Sequence, residues 1–291
     1  MSSLSEAKKA LQFNREFTGL VDILKGIAAS QFQSLMRKKQ RFEKFTASFD
    51  GFFKLIDFAR TIEKLDSPFV RTQSEVTGVV MVTSDEGFMG DLNTKVIEAA
   101  LREAGSGEKE LFVMGSHGFD ALKERGLEAT VFPAVEYEKR YEQALLVKER
   151  LVSDVALRKV GRLIVTYPHP VSFAVQRPVV VQLLPFKGLA SPPQRPASRD
   201  WMKQGVILES SPERIIEYLV GMWITYRLYD FFEDSKLAEY GAKTMHLEQS
   251  HDRLIEQGKG LRHRYFRCRR ELIDKGTRET FASILLRRNL A

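Results

Sequence analysis

Residues 254–272 read Leu-Ile-Glu-Gln-Gly-Lys-Gly-Leu-Arg-His-Arg-Tyr-Phe-Arg-Cys-Arg-Arg-Glu-Leu. Within them Leu254, Leu261, Tyr265, Cys268 and Leu272 recur at steps of seven, four, three and four. That is the period of a helix seam facing a second helix. Arginine fills the positions between, so the same stretch is apolar on one side and strongly basic on the rest. A seam needs a partner, and the search for one organises the whole chain.

Proline marks how far the helix extends. All ten prolines lie between Pro68 and Pro212, leaving 67 residues before the first and 79 after the last without a helix breaker. Ser211-Pro212-Glu213 is a start signal: a hydroxyl cap, proline at the first helical position, and an acid facing the positive helix end. Ile215, Leu219, Met222 or Trp223, and Tyr226 open an apolar stripe behind it. The N-terminal segment supplies the partner. There Phe17, Leu20, Leu24 and Ile27 step by three and four, as do Phe42, Phe45, Phe49, Phe52 or Phe53, Ile56 and Ala59. Some 60 residues of helix reach roughly 90 Å, and residues 212–288 reach ~115 Å. Paired head to tail, the C-terminal helix overhangs by roughly 25 Å, about 17 residues. A lone helix tip in water is marginal, so it is expected to sit inside another structure.

Between the two segments the period shortens. Val76 to Val82, Leu111 to Met114, Leu163 to Thr166 and Val179 to Leu184 read as strands, with helical patterns from about Asn93, through Ala121, and from Glu136 to Val160. Alternating strands and helices predict a mostly parallel sheet. The expected division is a long helix over 1–66, an α/β module over 74–190, a proline-rich linker over 191–210, and a long helix with a basic tip over 211–291.

The formal net charge is +7, from 45 Lys and Arg against 38 Asp and Glu. From Lys259 to Ala291 there are ten basic residues and three acids, so the excess lies entirely at the tip. Nucleic acid, an anionic membrane surface and an acidic protein socket all suit such a helix. Neither a nucleic-acid recognition module nor a cluster of stacking aromatics accompanies it. One cysteine, Cys268, excludes an intrachain disulfide framework and a Cys-based zinc ribbon. No apolar run approaches the roughly 18 residues of a membrane span, and Met1 to Phe17 lacks a secretory h-region. The expected compartment is the cytosol.

The segment with the best claim to chemistry is Asp85-Glu86-Gly87-Phe88-Met89-Gly90-Asp91-Leu92-Asn93, which follows a strand and opens a helix. It matches neither G-x-G-x-x-G nor G-x-x-x-x-G-K-[ST], and its three acids repel phosphate. Gly87 and Gly90 are expected to permit a tight backbone, with Asn93 or Asp91 capping the helix. His246 and His251 are five apart, not the four of a helical zinc pair. His117 has no nucleophile pattern nearby, so no catalytic, metal or cofactor site is predicted.

Six local patterns in order resemble the gamma subunit of rotary F-type ATP synthases. Lys25-Gly26-Ile27-Ala28-Ala29-Ser30 is similar to a motif ending V-A-A-S-K, with Gln31 in place of lysine. Thr83 to Asn93 is similar to T-S-D-R-G-L-C-G-G-L-N. Met114-Gly115-Ser116 and Gln182-Leu183-Leu184-Pro185 match M-G-S-K-G and Q-L-L-P. Ser235, Glu239, Ala242, Met245 and Leu254 fall on the pattern S-E-x-A-A-R-M-x-A-M-x-x-A-T-x-N-A. Leu261, Tyr265, Arg269 and Ile273 fall on L-x-L-x-Y-N-K-x-R-Q-A-x-I.

The resemblance implies an α/β fold: a long antiparallel two-helix coiled coil from the terminal segments plus a central Rossmann-like module. It implies a non-catalytic rotor that binds no nucleotide and turns inside an alpha–beta hexamer. Its partners are alpha and beta subunits, an epsilon-type stalk subunit and the membrane c-ring, with no nucleic acid and no membrane span of its own. Its place is the cytoplasmic, peripheral face of the membrane. The implied hexamer-contacting residues are Leu24, Leu261, Arg262, Tyr265, Arg269 and Arg270, with the arginines, Arg264 and Arg267 among them, facing an acidic loop of beta. Asp85, Gly87, Gly90 and Asn93 mark the signature loop. Departures from the pattern are Glu86 for arginine, Asp91 for glycine, Arg270 for glutamine, Asp274 for threonine and Gly276 for glutamate. A Rossmann-like nucleotide-binding enzyme and a basic coiled-coil nucleic-acid binder are the competing readings.

Overall fold

The computed structural model describes residues 2–46, 69, 74–185 and 212–289. Ten elements follow in order: α1 (Ser2–Thr46), β1 (Thr77–Val82), α2 (Leu92–Ala104), β2 (Lys109–Met114), α3 (Ser116–Glu124), β3 (Thr130–Phe132), α4 (Arg140–Ala156), β4 (Arg162–Pro170), β5 (Gln176–Leu184) and α5 (Pro212–Asn289). The expected phenylalanines Phe49, Phe52 and Phe53, with Ile56, Ala59 and the linker over 191–210, lie outside the described residues. The chain divides into two units, Met1–Ala29 with Thr244–Ala291, and Ser30–Lys243.

The second unit is built on a five-stranded sheet in the order β3-β2-β1-β4-β5. β1 pairs in parallel with β2 and β4, and β2 with β3, while β5 runs antiparallel to β4. The sequence reading missed β3, whose three residues are too short to show a period. It also gave no sign of the antiparallel edge, because periodicity does not report strand direction. Alternate residues of β1 serve opposite cores. Val79 and Met81 join Ile97, Ala100 and Leu122 of α2 and α3. Val80 and Val82 join Ala144, Val147 and Leu151 of α4 and Ile224, Leu228 and Phe231 of α5. Covering both faces explains why β1 reads as an unbroken apolar run. α4 is shorter than the pattern from Glu136 to Val160, and the stripe that α5 buries is Val220, Ile224, Leu228 and Phe231, shifted by one to two positions from the predicted Leu219, Trp223 and Tyr226.

The first unit contains parts of two helices. Asn14 donates from Nδ2 to the Leu254 carbonyl at 3.2 Å, and Lys25 pairs with Glu248 at 3.0 Å. Contacts that rise in number on α1 fall on α5, so the helices are antiparallel. The buried and half-buried positions of α1 here form the row 4, 7, 11, 14, 18, 21, 25 and 28, alternating steps of three and four, with Leu24 and Ala29 half-buried at its edge. On α5 the matching row is 244, 247, 251, 254, 258, 261, 265 and 268, with 245, 246, 248 and 250 also half-buried near its start. Both are heptad rows.

The predicted α1 row is corrected by this register. Phe17, Leu20 and Ile27 are 40%, 51% and 51% exposed, whereas Ala7, Val21 and Ala28 are 3%, 3% and 1%. The physical reason is space. A side chain added at Gly258 would meet Asn14 Oδ1 at 2.7 Å, so at that level the Asn14 side chain already fills the space between the helices.

Candidate functional site: the signature loop and the basic tip

The loop over 83–93 leaves the end of β1 at the point where the chain's parallel strands diverge to either side, β2 one way and β4 the other. In open α/β sheets that crevice is where ligands bind. Here the crevice holds protein. Ala242 of α5 packs with Met89 and Leu92, Lys243 Nζ donates to Glu86, and Ser116 N–H donates to Asp85. Glu239 of α5 is 4% exposed and lines the remaining space with Thr83, Ser84, Asn93 and Ser235. That space has room for about one water molecule, not a nucleotide.

Each predicted loop residue has a definite place. Asp85 is exposed at the loop's start and ties it to the first turn of α3. Gly90 takes φ 61°, the left-handed region that favours glycine, whereas Gly87 does not and Phe88 does, at φ 65°. The predicted cap is corrected: Asp91 stands at the cap position of α2 but its side chain makes no capping bond. It pairs instead with Lys95 at 2.9 Å, one turn on. Asn93 Nδ2 reaches Ser84 Oγ at 3.4 Å and so holds the loop's two ends together. Gly118 lets α3 lie against β1's end, since a Cβ there would meet Thr83 Oγ1 at 2.2 Å.

The departure at Glu86 has a structural partner. Burial pushes the Glu86 carboxyl up, but hydrogen bonding and charge from Lys243, with Lys236 behind it, hold it below the usual carboxylate range. An acid in place of the motif's arginine is therefore matched by an intramolecular lysine.

Around Asp234 the second unit carries a buried ionic cluster that sequence reasoning did not find. Its carboxylate accepts from Lys39 of α1 through Oδ1 and contacts His169 Nδ1 of β4 at 2.7 Å through Oδ2. Beside it Arg140 donates to Tyr229 at 2.7 Å, lies 3.7 Å over the Tyr137 ring and faces Glu233 at 3.9 Å. Burial holds the Glu233 and Asp230 carboxyls above their usual range. The only sequence sign was the density of acids at 230, 233 and 234 in an otherwise apolar helix stretch.

The tip residues separate into two kinds. Leu261 and Tyr265 continue the heptad row of α5, half-buried, while Arg262, Arg269 and Arg270 are exposed. With Asn14 beside Gly258, the antiparallel register sets Ser2 beside about residue 270. Accordingly every side chain from Arg269 to Leu285 is exposed, including Leu272, Ile273, Phe281 and Ile284. Further along the pair, Glu248, His251 and Asp252 cluster. Lys25 already bridges Asp22 and Glu248 there, 3.0 Å from each, so the cation at that spot is a side chain. No helix among the described residues is long and apolar enough to cross a membrane.

Known proteins share this arrangement along nearly the whole chain. A family model described as ATP synthase matches residues 3–279. The ATP synthase gamma chain of Nitratidesulfovibrio vulgaris is 24% identical over 253 residues, 84% of each chain. That of Streptococcus agalactiae is 22% identical over 287 residues, 96% of this chain and 97% of the relative. Among solved structures, a chain of the Euglena gracilis mitochondrial ATP synthase (OSCP/F1/c-ring, rotational state 3) superposes with a TM-score of 0.71. It is 16% identical and covers 97% of this chain and 94% of the other. The paired terminal helices, the α/β module between them and a family match across 3–279 place this chain in the gamma-subunit family of the ATP synthases.

Proposed function

We propose that the chain is the central shaft of an F-type ATP synthase or ATPase, entering an alpha–beta hexamer by its C-terminal tip. It transmits rotation between that hexamer and a membrane c-ring, with an epsilon-type subunit at the foot, on the peripheral face of the membrane. The observation that carries this is the exposed overhang beyond Cys268, which keeps apolar side chains among its arginines. Such a surface is stable when enclosed, and its charge suits an acidic lining that steers and releases rather than locks.

The shaft does no catalysis of its own. The crevice where a nucleotide would lie is filled by Glu239 and Ala242 of α5, and the loop that borders it carries Asp85, Glu86 and Asp91. This disfavours the Rossmann-like enzyme.

The test is co-expression with the alpha and beta subunits encoded in the same genome. The three chains are expected to co-purify with ATPase activity. Replacing Arg262, Arg269 and Arg270 together by glutamate is expected to weaken that assembly while leaving thermal unfolding of the isolated chain unchanged. Failure of the wild-type chain to associate, together with salt-dependent retention on DNA or RNA at physiological ionic strength, would favour the nucleic-acid reading instead.

A further inference from the structure

Glu239, which lines a small cavity beside the signature loop, carries an unused polar atom. Its Oε2 accepts from Lys236 Nζ at 2.9 Å, while Oε1 is buried and has no partner. Across the cavity Ser84 Oγ makes only long contacts: 3.4 Å from Asn93 Nδ2, 3.4 Å to the Glu86 carbonyl and 3.6 Å to Met89 Sδ. The space that both residues line has room for about one water. An ionised carboxylate can only accept, and leaving a buried acceptor unfilled is destabilising. A protonated one keeps Oε2 as the acceptor for Lys236 and turns Oε1 into a donor.

We propose that Glu239 is held protonated and, through one water, fastens α5 to Ser84 and Asn93, making the signature loop a proton-controlled latch on that helix. The charges facing Glu239 are Lys236, Lys243 and Glu86, of which the last two pair with each other, with Tyr240 alongside. The rest of the lining brings no charge; its polar members are Thr83, Ser84, Asn93 and Ser235. Burial holds the Glu239 carboxyl above its usual range, against the pull of Lys236.

The sign follows. A carboxyl whose folded-state pKa is raised contributes stability in full below its unfolded value and loses it as pH rises through the folded value. The latch is closed on the acid side and opens towards alkaline pH.

Hydrogen exchange of the full-length chain between pH 5 and 9, corrected for the intrinsic rate, reads the latch at residues 83–93. In the wild type, opening is expected to grow roughly tenfold per pH unit above the folded-state midpoint, the limit for one linked proton. Glu239→Gln keeps a donor at that position and is expected to flatten the dependence while leaving the loop closed. If that variant does not fold, Ser84→Ala carries the test by removing the acceptor, and it too is expected to flatten the slope. A wild-type loop with no pH-linked opening, or the same slope in either variant, overturns the latch.

Discussion

The two units are held together by opposite means. In Ser30–Lys243 large side chains fill the interior: Phe112, Phe231, Met81 and Ile97 are fully buried on the two faces of one sheet. In Met1–Ala29 with Thr244–Ala291 the seam is one heptad row on each helix, in which α1 places Ala7, Leu11, Asn14, Thr18, Val21 and Ala28 while its bulkier Phe13, Phe17, Leu20 and Ile23 face outward. The same apolar residue type is therefore core in one unit and surface in the other. Burial in the first follows from volume. In the second it follows from which face of each helix meets the other.

That contrast breaks most visibly at two neighbouring positions. Val21→Asp puts a charge into the closed seam and is expected to destabilise the helix pair by about 3 kcal/mol. Phe17→Asp, four residues earlier on the outward row, is expected to change it by no more than about 0.5 kcal/mol. Hydrogen exchange over residues 2–29 measures both, and equal effects would mean that the rows are misassigned.

Ion pairs sharpen the comparison further. Lys39 in the second unit satisfies Asp234, which is almost wholly buried, so Lys39→Ala strands a carboxylate. Because His169 remains beside it, the expected loss is about 2 kcal/mol, below the usual range for such a break. In the first unit Lys25 also makes two ion pairs, but the side chains of its partners Asp22 and Glu248 are solvent-exposed and keep their hydration when it is removed. Lys25→Ala is expected to leave the melting temperature essentially unchanged. Denaturant unfolding of both variants checks the pair, and a larger loss at Lys25 would reverse the assignment of which unit depends on charge.

The same contrast explains what could be read in the sequence. Freedom from proline before Pro68 and after Pro212 gave the long helices, and the apolar runs of β1 and β2 gave a two-sided sheet. The seam of α1 could not be chosen from one strand of text. Two heptad rows are offset on that helix, and the bulkier one, Phe17 to Ile27, reads as the core until Asn14 is placed against Gly258. The loop's residues were identifiable, but their bonds were not. Asp91 has a choice between capping and Lys95, and Glu86 answers a lysine 157 residues away. The Asp234 cluster joins α1, β4 and α5, and no local pattern announces an interaction that only tertiary folding assembles.

Cross-linking across the seam tests this account most directly. In a Cys268→Ser background, Asn14→Cys with Gly258→Cys is expected to oxidise readily to an intrachain disulfide in the full-length chain, because those two positions meet. Phe17→Cys with Gly258→Cys is expected not to. A disulfide in the second pair but not the first would put the phenylalanine row in the seam and contradict the register on which the exposed tip, and the shaft reading with it, depends.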